Sequence, residues 1–275
     1  MMELVLVSND IDLTTRAIDA GVERCLVDLE LLGKSERQTG RGTFITHHSM
    51  SDVERMRGVL PMGALEVRID RLNSHSAEQI DRVIDAGADI VMLPMVESAQ
   101  EALDVIELIG GRARLCLLVE TVIGLFALPE LIVIPGVDEV HIGLNDLMIS
   151  SGGDHLFRPL ASGMLDDPAR LVRSAELGLG IGGITAPGTS GLPVDPDRLI
   201  GELVRLDVTL AWLGRSFRQC VHDAGGEVTG CIARIRAAEQ RWRAQDRHRL
   251  AQNHADLIHE VDRTARPAVR SDGAN

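Results

Sequence analysis

Short apolar runs alternate with longer amphipathic segments along most of this chain, and no other feature limits the possible folds as strongly. Eight runs rich in valine, isoleucine and leucine have the length of buried strands. They span residues 3–8, 25–29, 64–69, 90–94, 114–119, 139–143, 179–183 and 209–213. Helical periodicity is found between several of them, over residues 12–20, 50–60, 76–86, 98–109 and 196–206. This alternation is typical of βα units that build a parallel sheet.

Two parallel architectures compete for such a pattern. Eight units within the first 222 residues match a (β/α)₈ TIM barrel, which takes ~250 residues. A doubly wound sheet would instead place a glycine-rich phosphate loop after its first strand, where this chain has Ser8, Asn9 and Asp10. We therefore predict a (β/α)₈ barrel catalytic domain over residues 1–222.

A formal G-x-G-x-x-G match does occur later, at Gly178, Gly180 and Gly183. It runs into Thr185 and Pro187 instead of opening a helix, and we interpret it as a coincidence. The glycines are expected to let the backbone approach a ligand, or to pack tightly at a strand end.

The chain changes character after Val221. Apolar residues recur at helical spacing from 228 to 261, which predicts a helical arm over residues 223–262. Six arginines lie between Arg234 and Arg249, against only two acidic residues. The arm presents either a solvated charged face or a surface that docks on an acidic neighbouring subunit, and its apolar stripe favours docking. We therefore expect a homo-oligomer, and a disordered tail over residues 263–275.

The charge balance excludes several kinds of partner. Aspartate and glutamate number 41 against 28 lysines and arginines, the formal net charge is −13, and aromatic residues make up 2%. A nucleic-acid binder needs a basic surface and usually aromatic platforms, so nucleic acid is not expected. No apolar run reaches the ~18 residues of a membrane span, and residues 1–10 do not resemble a secretory signal. We expect a cytoplasmic protein without a membrane partner.

Lysine usage limits the possible chemistry. Lys34 is the only lysine of the chain. A mechanism that forms a Schiff base on lysine therefore has a single candidate residue. This argues against Schiff-base chemistry and leaves a metal ion as the electron sink.

Polar residues that end the apolar strands are the candidates for a site, because active sites of (β/α)₈ barrels lie at the carboxyl ends of the strands. Glu120 directly follows the fifth strand, and Asp146 follows the sixth. Two carboxylates from neighbouring strands, with water completing the coordination, suit Mg²⁺ or Mn²⁺. Ordinary helix caps or salt-bridged acids would give the same pattern. Arg68, on the third strand, suits a substrate carboxylate, or else pairs with Glu30 or Glu120.

Five segments in order resemble the HpcH/HpaI aldolase and citrate lyase β-subunit family, over roughly residues 1 to 220. They are Asp28-Leu-Glu30, Val67-Arg68-Ile69, residues 86–95, Leu118-Val-Glu-Thr121 and residues 140–146. The resemblance implies a (β/α)₈ barrel that makes or breaks carbon–carbon bonds through a metal-stabilised enolate. It also implies oligomers in which a C-terminal helix packs on a neighbour.

Residue by residue, the resemblance places Glu120 and Asp146 on the metal ligands and Arg68 on the substrate-binding arginine. Asp28 and Glu30 fall on the acidic motif of the second strand, and we expect them to bind substrate.

The chain departs from the family directly after that motif. Relatives carry histidine or aspartate there, and this chain has Leu31. His48 is a candidate to replace it as proton shuttle, although a loop histidine without a catalytic role is the competing interpretation. Lys34 is a candidate to orient a phosphate or carboxylate of the substrate.

The leading hypothesis is a metal-dependent aldolase that cleaves or forms a bond to the pyruvate-type enolate of a small 2-oxo acid. Mg²⁺ or Mn²⁺ would be the cofactor, and the 2-oxo acid or its aldol adduct would be the substrate. Two alternatives stay open. One is a CoA-thioester lyase of the citryl or malyl type, and the other is a barrel that binds an oxo acid or phosphoenolpyruvate without turnover.

Overall fold

The computed structural model describes residues 1–32 and 48–265. Its eight strands are β1 (Glu3–Val7), β2 (Arg24–Asp28), β3 (Leu65–Arg68), β4 (Ile90–Leu93), β5 (Arg114–Val119), β6 (Glu139–Ile142), β7 (Gly178–Ile184) and β8 (Leu210–Leu213). Each strand pairs in parallel with the next, and β8 pairs with β1, so the sheet closes into a barrel. The predicted (β/α)₈ architecture is confirmed, and every strand begins within one residue of its predicted start.

Twelve helices lie in the described part of the chain. They are α1 (Ile11–Asp19), α2 (Met50–Arg57), α3 (Ser76–Asp85), α4 (Ala99–Ile109), α5 (Val122–Leu131), α6 (Leu144–Ser150), α7 (Arg158–Ala161), α8 (Asp166–Ser174), α9 (Pro196–Arg205), α10 (Arg215–Asp223), α11 (Val228–Arg243) and α12 (Arg247–Thr264). Local chemistry sets their starts. The Asp10 side chain accepts the backbone N–H of Leu13, and Ser98 forms a capping box with Glu101.

The interior of the barrel has an apolar middle and a charged amino-terminal end. Apolar side chains such as Leu26, Met92 and Leu118 fill the middle. Below them, Arg24 bonds to Glu139 at 2.7 Å and to Glu3 at 2.6 Å. Ion pairs therefore fill the barrel interior at the amino-terminal ends of the strands.

The two terminal helices pack on the chain's own barrel. Trp242 of α11 lies so close to Gly201 of α9 that a Cβ there would be 2.7 Å from the indole. The side-chain amide of Asn253 in α12 donates to the Arg198 carbonyl at 3.0 Å. Apolar residues of the predicted arm are thus buried within one chain.

Half of the six arginines of the arm pair with carboxylates of the same chain. Four of its six arginines bond to groups of this chain: Arg234 to the Pro187 carbonyl, Arg236 to Glu23, Arg241 to Asp197 and Arg243 to Glu239. Docking on a neighbouring subunit stays a prediction. The tail expected over residues 263–275 lies outside the described residues from residue 266 onward, and α12 continues to Thr264. None of the described helices is long and apolar enough to cross a membrane.

Candidate active site

A cavity of about 400 Å³ opens at the carboxyl ends of the strands. It brings together Asp28, Arg68, Glu120 and Asp146 from β2, β3, and the turns after β5 and β6. A depression of about 470 Å³ lies at the opposite end, lined by Asp89, Arg114 and Asp138. Since catalytic residues of this architecture lie at the carboxyl ends of the strands, the first cavity is the candidate site.

Glu120 is buried, with 3% of its surface exposed, at the end of β5. Its Oε1 atom accepts the backbone N–H of Met95 at 3.2 Å. Its other side faces the turn after β6, where a Cβ on Gly143 would lie 2.6 Å from Oε2. The absence of a side chain at Gly143 therefore makes the space in which this carboxylate sits.

Asp146 lies in the first turn of α6, three residues after that glycine, and is 9% exposed. Because β5 and β6 are neighbours in the barrel, the two carboxylates enter the cavity from adjacent strand ends. This is the arrangement that the sequence predicted for them.

A divalent metal ion fits this donor set. Two buried carboxylates supply the hard oxygen ligands that Mg²⁺ and Mn²⁺ prefer, and Mg²⁺ usually keeps several water ligands. No three His, Cys, Asp or Glu side chains form a metal cage among residues 1–32 and 48–265. A metal held here would therefore rest on Glu120 and Asp146 with water in its remaining positions.

Arg68 is fixed by Asp28 through two parallel bonds, from Nε to Oδ1 at 2.8 Å and from Nη2 to Oδ2 at 2.7 Å. Glu30 adds a contact of 3.6 Å to Nε. Burial disfavours the charged guanidinium, but the charges of Asp28, Glu30 and Glu120 outweigh burial and raise the pKa of Arg68. Within the described residues Nη1 donates no hydrogen bond, so it is the atom best placed to bind a substrate carboxylate.

His48 lies against the backbone of β2. Its Nδ1 atom accepts the N–H of Asp28 at 2.9 Å, and the side chain is not among those that line the cavity. An imidazole that accepts at Nδ1 carries its proton on Nε2 when neutral, and the role of His48 as proton shuttle stays a prediction. The contact also links His48 to the strand end that carries Asp28.

The acidic motif of the second strand is followed by a solvent-exposed residue. Leu31 is 60% exposed, and its backbone N–H donates to Asp70 at 2.7 Å. Lys34, the candidate to orient a phosphate or carboxylate of the substrate, lies outside the described residues. At the position where the resemblance implies histidine or aspartate, the chain thus has an apolar side chain that is exposed.

The floor of the cavity contains residues that the strand pattern did not single out. His141 of β6 stacks on Trp212 of β8, with ring centroids 3.9 Å apart and an interplanar angle of 26°. A Cβ on Gly180 would overlap the imidazole, so the glycine of the intervening strand makes the stack possible. Burial, and then the charge of Arg68, lower the pKa of His141 to about 3, which keeps the ring neutral. The only sequence signal was the alternation of glycines in β7.

Comparison with known proteins agrees with this architecture. The family model described as HpcH/HpaI aldolase/citrate lyase matches residues 7–156. A hydroxypyruvate/pyruvate aldolase from Roseovarius nubinhibens is 34% identical over an alignment that covers 37% of this chain. The chain spans about half the length of that relative, 52%.

Solved structures share the fold at low identity. One is the protein CitE from Mycobacterium tuberculosis in complex with magnesium and pyruvate, with a TM-score of 0.61, 16% identity and coverage of 94% of this chain and 98% of CitE. Another is an HpcH/HpaI aldolase/citrate lyase family protein from Burkholderia cenocepacia, with a TM-score of 0.59, 16% identity and coverage of 82% and 94%. The family model matches more than half of the length of this chain, which shows that the chain belongs to the HpcH/HpaI aldolase/citrate lyase family.

Proposed function

We propose that this protein is a divalent-metal-dependent carbon–carbon lyase that cleaves or forms a bond to the pyruvate-type enolate of a small 2-oxo acid. The observation that carries the proposal is the convergence of Glu120, Asp146 and the Arg68–Asp28 pair on one cavity. The names of two similar proteins support it, since one is a hydroxypyruvate/pyruvate aldolase and the other binds magnesium and pyruvate.

Glu120 and Asp146 would hold Mg²⁺ or Mn²⁺. When bound, the ion supplies Lewis-acid stabilisation of the negative charge that develops on an enolate. The chain's own contribution is to keep two carboxylates buried at the same cavity. Gly143 keeps that space open, because any larger residue would press on Glu120.

Arg68 would bind the substrate carboxylate. Asp28 fixes two of its nitrogens, so the guanidinium is held in one orientation before substrate arrives, and less conformational entropy is lost on binding. The negative charge of Glu30 would stabilise the positive charge of the same guanidinium. The Cζ atom of Arg68 also lies 5.8 Å from the centre of the Trp212 ring. The ring limits movement of the guanidinium toward the floor of the cavity.

The test separates metal binding from turnover. Calorimetric titration with Mn²⁺ should show one site in the wild type, and Glu120→Gln should weaken it at least about tenfold, because the variant loses a charged ligand. Exchange of the methyl protons of pyruvate in D₂O, followed by NMR, should require the metal and should be lost in Glu120→Gln. Borohydride with pyruvate should leave the enzyme active. Exchange that persists after complete removal of metal contradicts the proposal.

A CoA-thioester lyase is the second candidate, since the same fold occurs in a CitE structure with magnesium, acetoacetate and coenzyme A. It requires a basic surface for the CoA phosphates, and Arg37 and Arg41, the candidates for it, lie outside the described residues. A thermal shift that saturates with an acyl-CoA but not with pyruvate would favour it. Metal-dependent binding of pyruvate without exchange or product would favour a binding protein instead.

A further inference from the structure

Two of the four cysteines of the chain are in direct contact. The Sγ atoms of Cys220 in α10 and Cys231 in α11 lie 2.8 Å apart. Both thiols are free, with 4% and 1% of the residue surface exposed. The other two cysteines, Cys25 and Cys116, lie on β2 and β5, and neither bonds to a second cysteine within the described residues. The contact between α10 and α11 is therefore the place where two thiols of this chain can react with each other.

A guanidinium lies against both sulfur atoms. Nη2 of Arg234 donates to Cys220 Sγ at 3.1 Å and to Cys231 Sγ at 3.5 Å. Nη1 of the same side chain donates to the Pro187 carbonyl at 3.0 Å, so the loop after β7 also holds it. A positive charge beside a thiol favours the thiolate, which is the form that reacts with oxidants. The packing thus combines two thiols with a cation that can activate one of them.

The two sulfur atoms are not equivalent. Arg234 is closer to Cys220 than to Cys231. Burial, and then the hydrogen bond with Cys220, raise the pKa of Cys231 to about 11. Cys231 therefore keeps its proton at neutral pH and can donate it to the neighbouring sulfur. We expect Cys220 to react first and Cys231 to close the bond.

The fold holds the two thiols together before any reaction. Only residues 224–227 separate the end of α10 from the start of α11. Gly225 and Gly226 in this turn have φ angles of 65° and 92°, a conformation that glycine adopts without strain. A disulfide forms at an S–S distance of about 2.05 Å, so a small movement of the two side chains is enough to join them.

We propose that Cys220 and Cys231 are a peroxide-sensitive dithiol, activated by Arg234, which hydroperoxides convert to a disulfide between α10 and α11. Neither cysteine lines the cavity at the strand ends, so this site does not depend on the proposed lyase function. Disulfides in reducing compartments are usually transient and redox-sensing, which fits a pair that is free in the resting fold.

The reaction balances in two steps. The Cys220 thiolate attacks one oxygen of the peroxide, an S–O bond forms and the O–O bond breaks. The second oxygen takes the proton of Cys220 and leaves as water or an alcohol. Cys231 then attacks the sulfur of the sulfenic acid, an S–S bond forms, and the oxygen leaves as water with the proton of Cys231. Two thiols lose two electrons in total, and the peroxide gains them.

The sequence allows a direct test by peptide mapping. No lysine or arginine lies between Arg218 and Arg234, so trypsin releases both cysteines on one peptide, residues 219–234. Reduced full-length protein is treated with hydrogen peroxide, denatured, alkylated and digested without reductant. We expect this peptide to lose the mass of two hydrogen atoms and to carry no alkyl group, and dithiothreitol should restore both thiols. Cys25 and Cys116 should remain open to alkylation in the same digest.

Three variants separate the roles of the residues. Arg234→Gln should slow disulfide formation about tenfold, because the thiolate loses its cation. Arg241→Gln is the matched control, since Arg241 lies on the same helix and bonds to Asp197. Cys231→Ser should let a sulfenic acid accumulate on Cys220, which dimedone traps. Thermal melts show whether each variant is folded, and the peptide map of the wild type tests the disulfide without any substitution.

The melting temperature gives a second measurement. The oxidised wild type should melt about 5 °C or more above the reduced protein, because the disulfide restricts the unfolded chain. A lower melting temperature would show that the fold must distort to form the bond, and it would contradict the proposal. A peptide of residues 219–234 that stays reduced, gains only oxygen atoms or links two chains also overturns it. Equal rates in Arg234→Gln and Arg241→Gln would contradict activation by Arg234.

Discussion

Asp28 and Arg68 face each other across β2 and β3 and are joined by two parallel hydrogen bonds of 2.8 and 2.7 Å. This planar geometry is specific to arginine, because a lysine ammonium cannot form both bonds at once. Arg68→Lys should therefore keep the charge and lose the orientation. We expect a fall in kcat/KM for the 2-oxo acid of about 100-fold, measured by steady-state kinetics.

Arg112→Lys is the control for that substitution, since Arg112 lies on the outside of the barrel and bonds to Asp81. The same loss in both variants would show a general effect of replacing arginine. It would not support a role for the Asp28–Arg68 pair.

Gly143→Ala tests the space around Glu120. The new Cβ would lie 2.6 Å from Oε2 and 2.7 Å from the Cβ of Glu120, so the carboxylate must move. We expect Mn²⁺ affinity to fall by about tenfold or more while the fold is kept, because second-sphere changes at metal sites typically cost 10- to 100-fold. Gly58→Ala, at the end of α2, is the control. Unchanged titration curves in Gly143→Ala would show that Glu120 does not bind the metal.

His48→Gln tests whether His48 orders the end of β2 or transfers a proton. If His48 orders Asp28, the variant should raise KM and lower the melting temperature without moving the pH profile of kcat. If His48 instead transfers a proton, kcat itself should fall and an ionisation should disappear from that profile. The bond from the Asp28 N–H to Nδ1 predicts the first outcome.

His141 should make the protein less stable in mild acid. Its pKa is about 3 in the fold, below the ordinary 6.5, so the unfolded chain takes up a proton that the folded chain refuses. Stability is therefore lost as the pH falls from 6.5 toward 3. Between pH 7.5 and pH 5 this residue should cost about 2 kcal/mol. Urea unfolding of the wild type and of His141→Phe at both pH values measures this loss of unfolding free energy. Equal losses in the two proteins would argue against a lowered pKa of His141.

Glu66 should make the protein less stable as the pH rises, which is the opposite of the effect of His141. Burial, and then the charge of Glu139, raise the pKa of Glu66 from 4.5 to about 8, so the folded chain keeps a proton that the unfolded chain releases. Stability is lost as the pH rises from 4.5 to 8. Glu66→Gln should remove about 2 kcal/mol or more of that loss between pH 5 and pH 7. Glu107 is exposed on α4, and Glu107→Gln should leave the dependence of the unfolding free energy on pH unchanged.

The sequence was sufficient to predict the barrel, because the strands of a parallel sheet are buried on both faces and appear as continuous apolar runs. The same reasoning located Glu120, Asp146 and Arg68, which follow or end those runs. It did not find the stack of His141 on Trp212, because these residues are 71 positions apart and meet only through closure of the barrel. It also could not foresee the bond between His48 and the backbone of β2, since a loop histidine carries no periodic signal.

The terminal arm shows a second limit of prediction from sequence. Its arginines were counted correctly, but charge partners such as Glu23 and Asp197 lie far away in the sequence. Composition gives the number of charges on a helix and does not reveal which of them are already neutralised within the fold.

The glycines of β7 have a consequence for the diversity of substrates. Gly178, Gly180 and Gly182 face the barrel interior, and Cβ atoms there would touch side chains of β6 and β8. This strand thus adds no side chain at three positions, and His141 and Trp212 of the neighbouring strands β6 and β8 fill the space beside it. Replacement of His141 by a smaller residue would lengthen the reactant that fits and would leave the two bonds between Asp28 and Arg68 in place. Such a barrel could change its substrate length in one mutational step while keeping its chemistry.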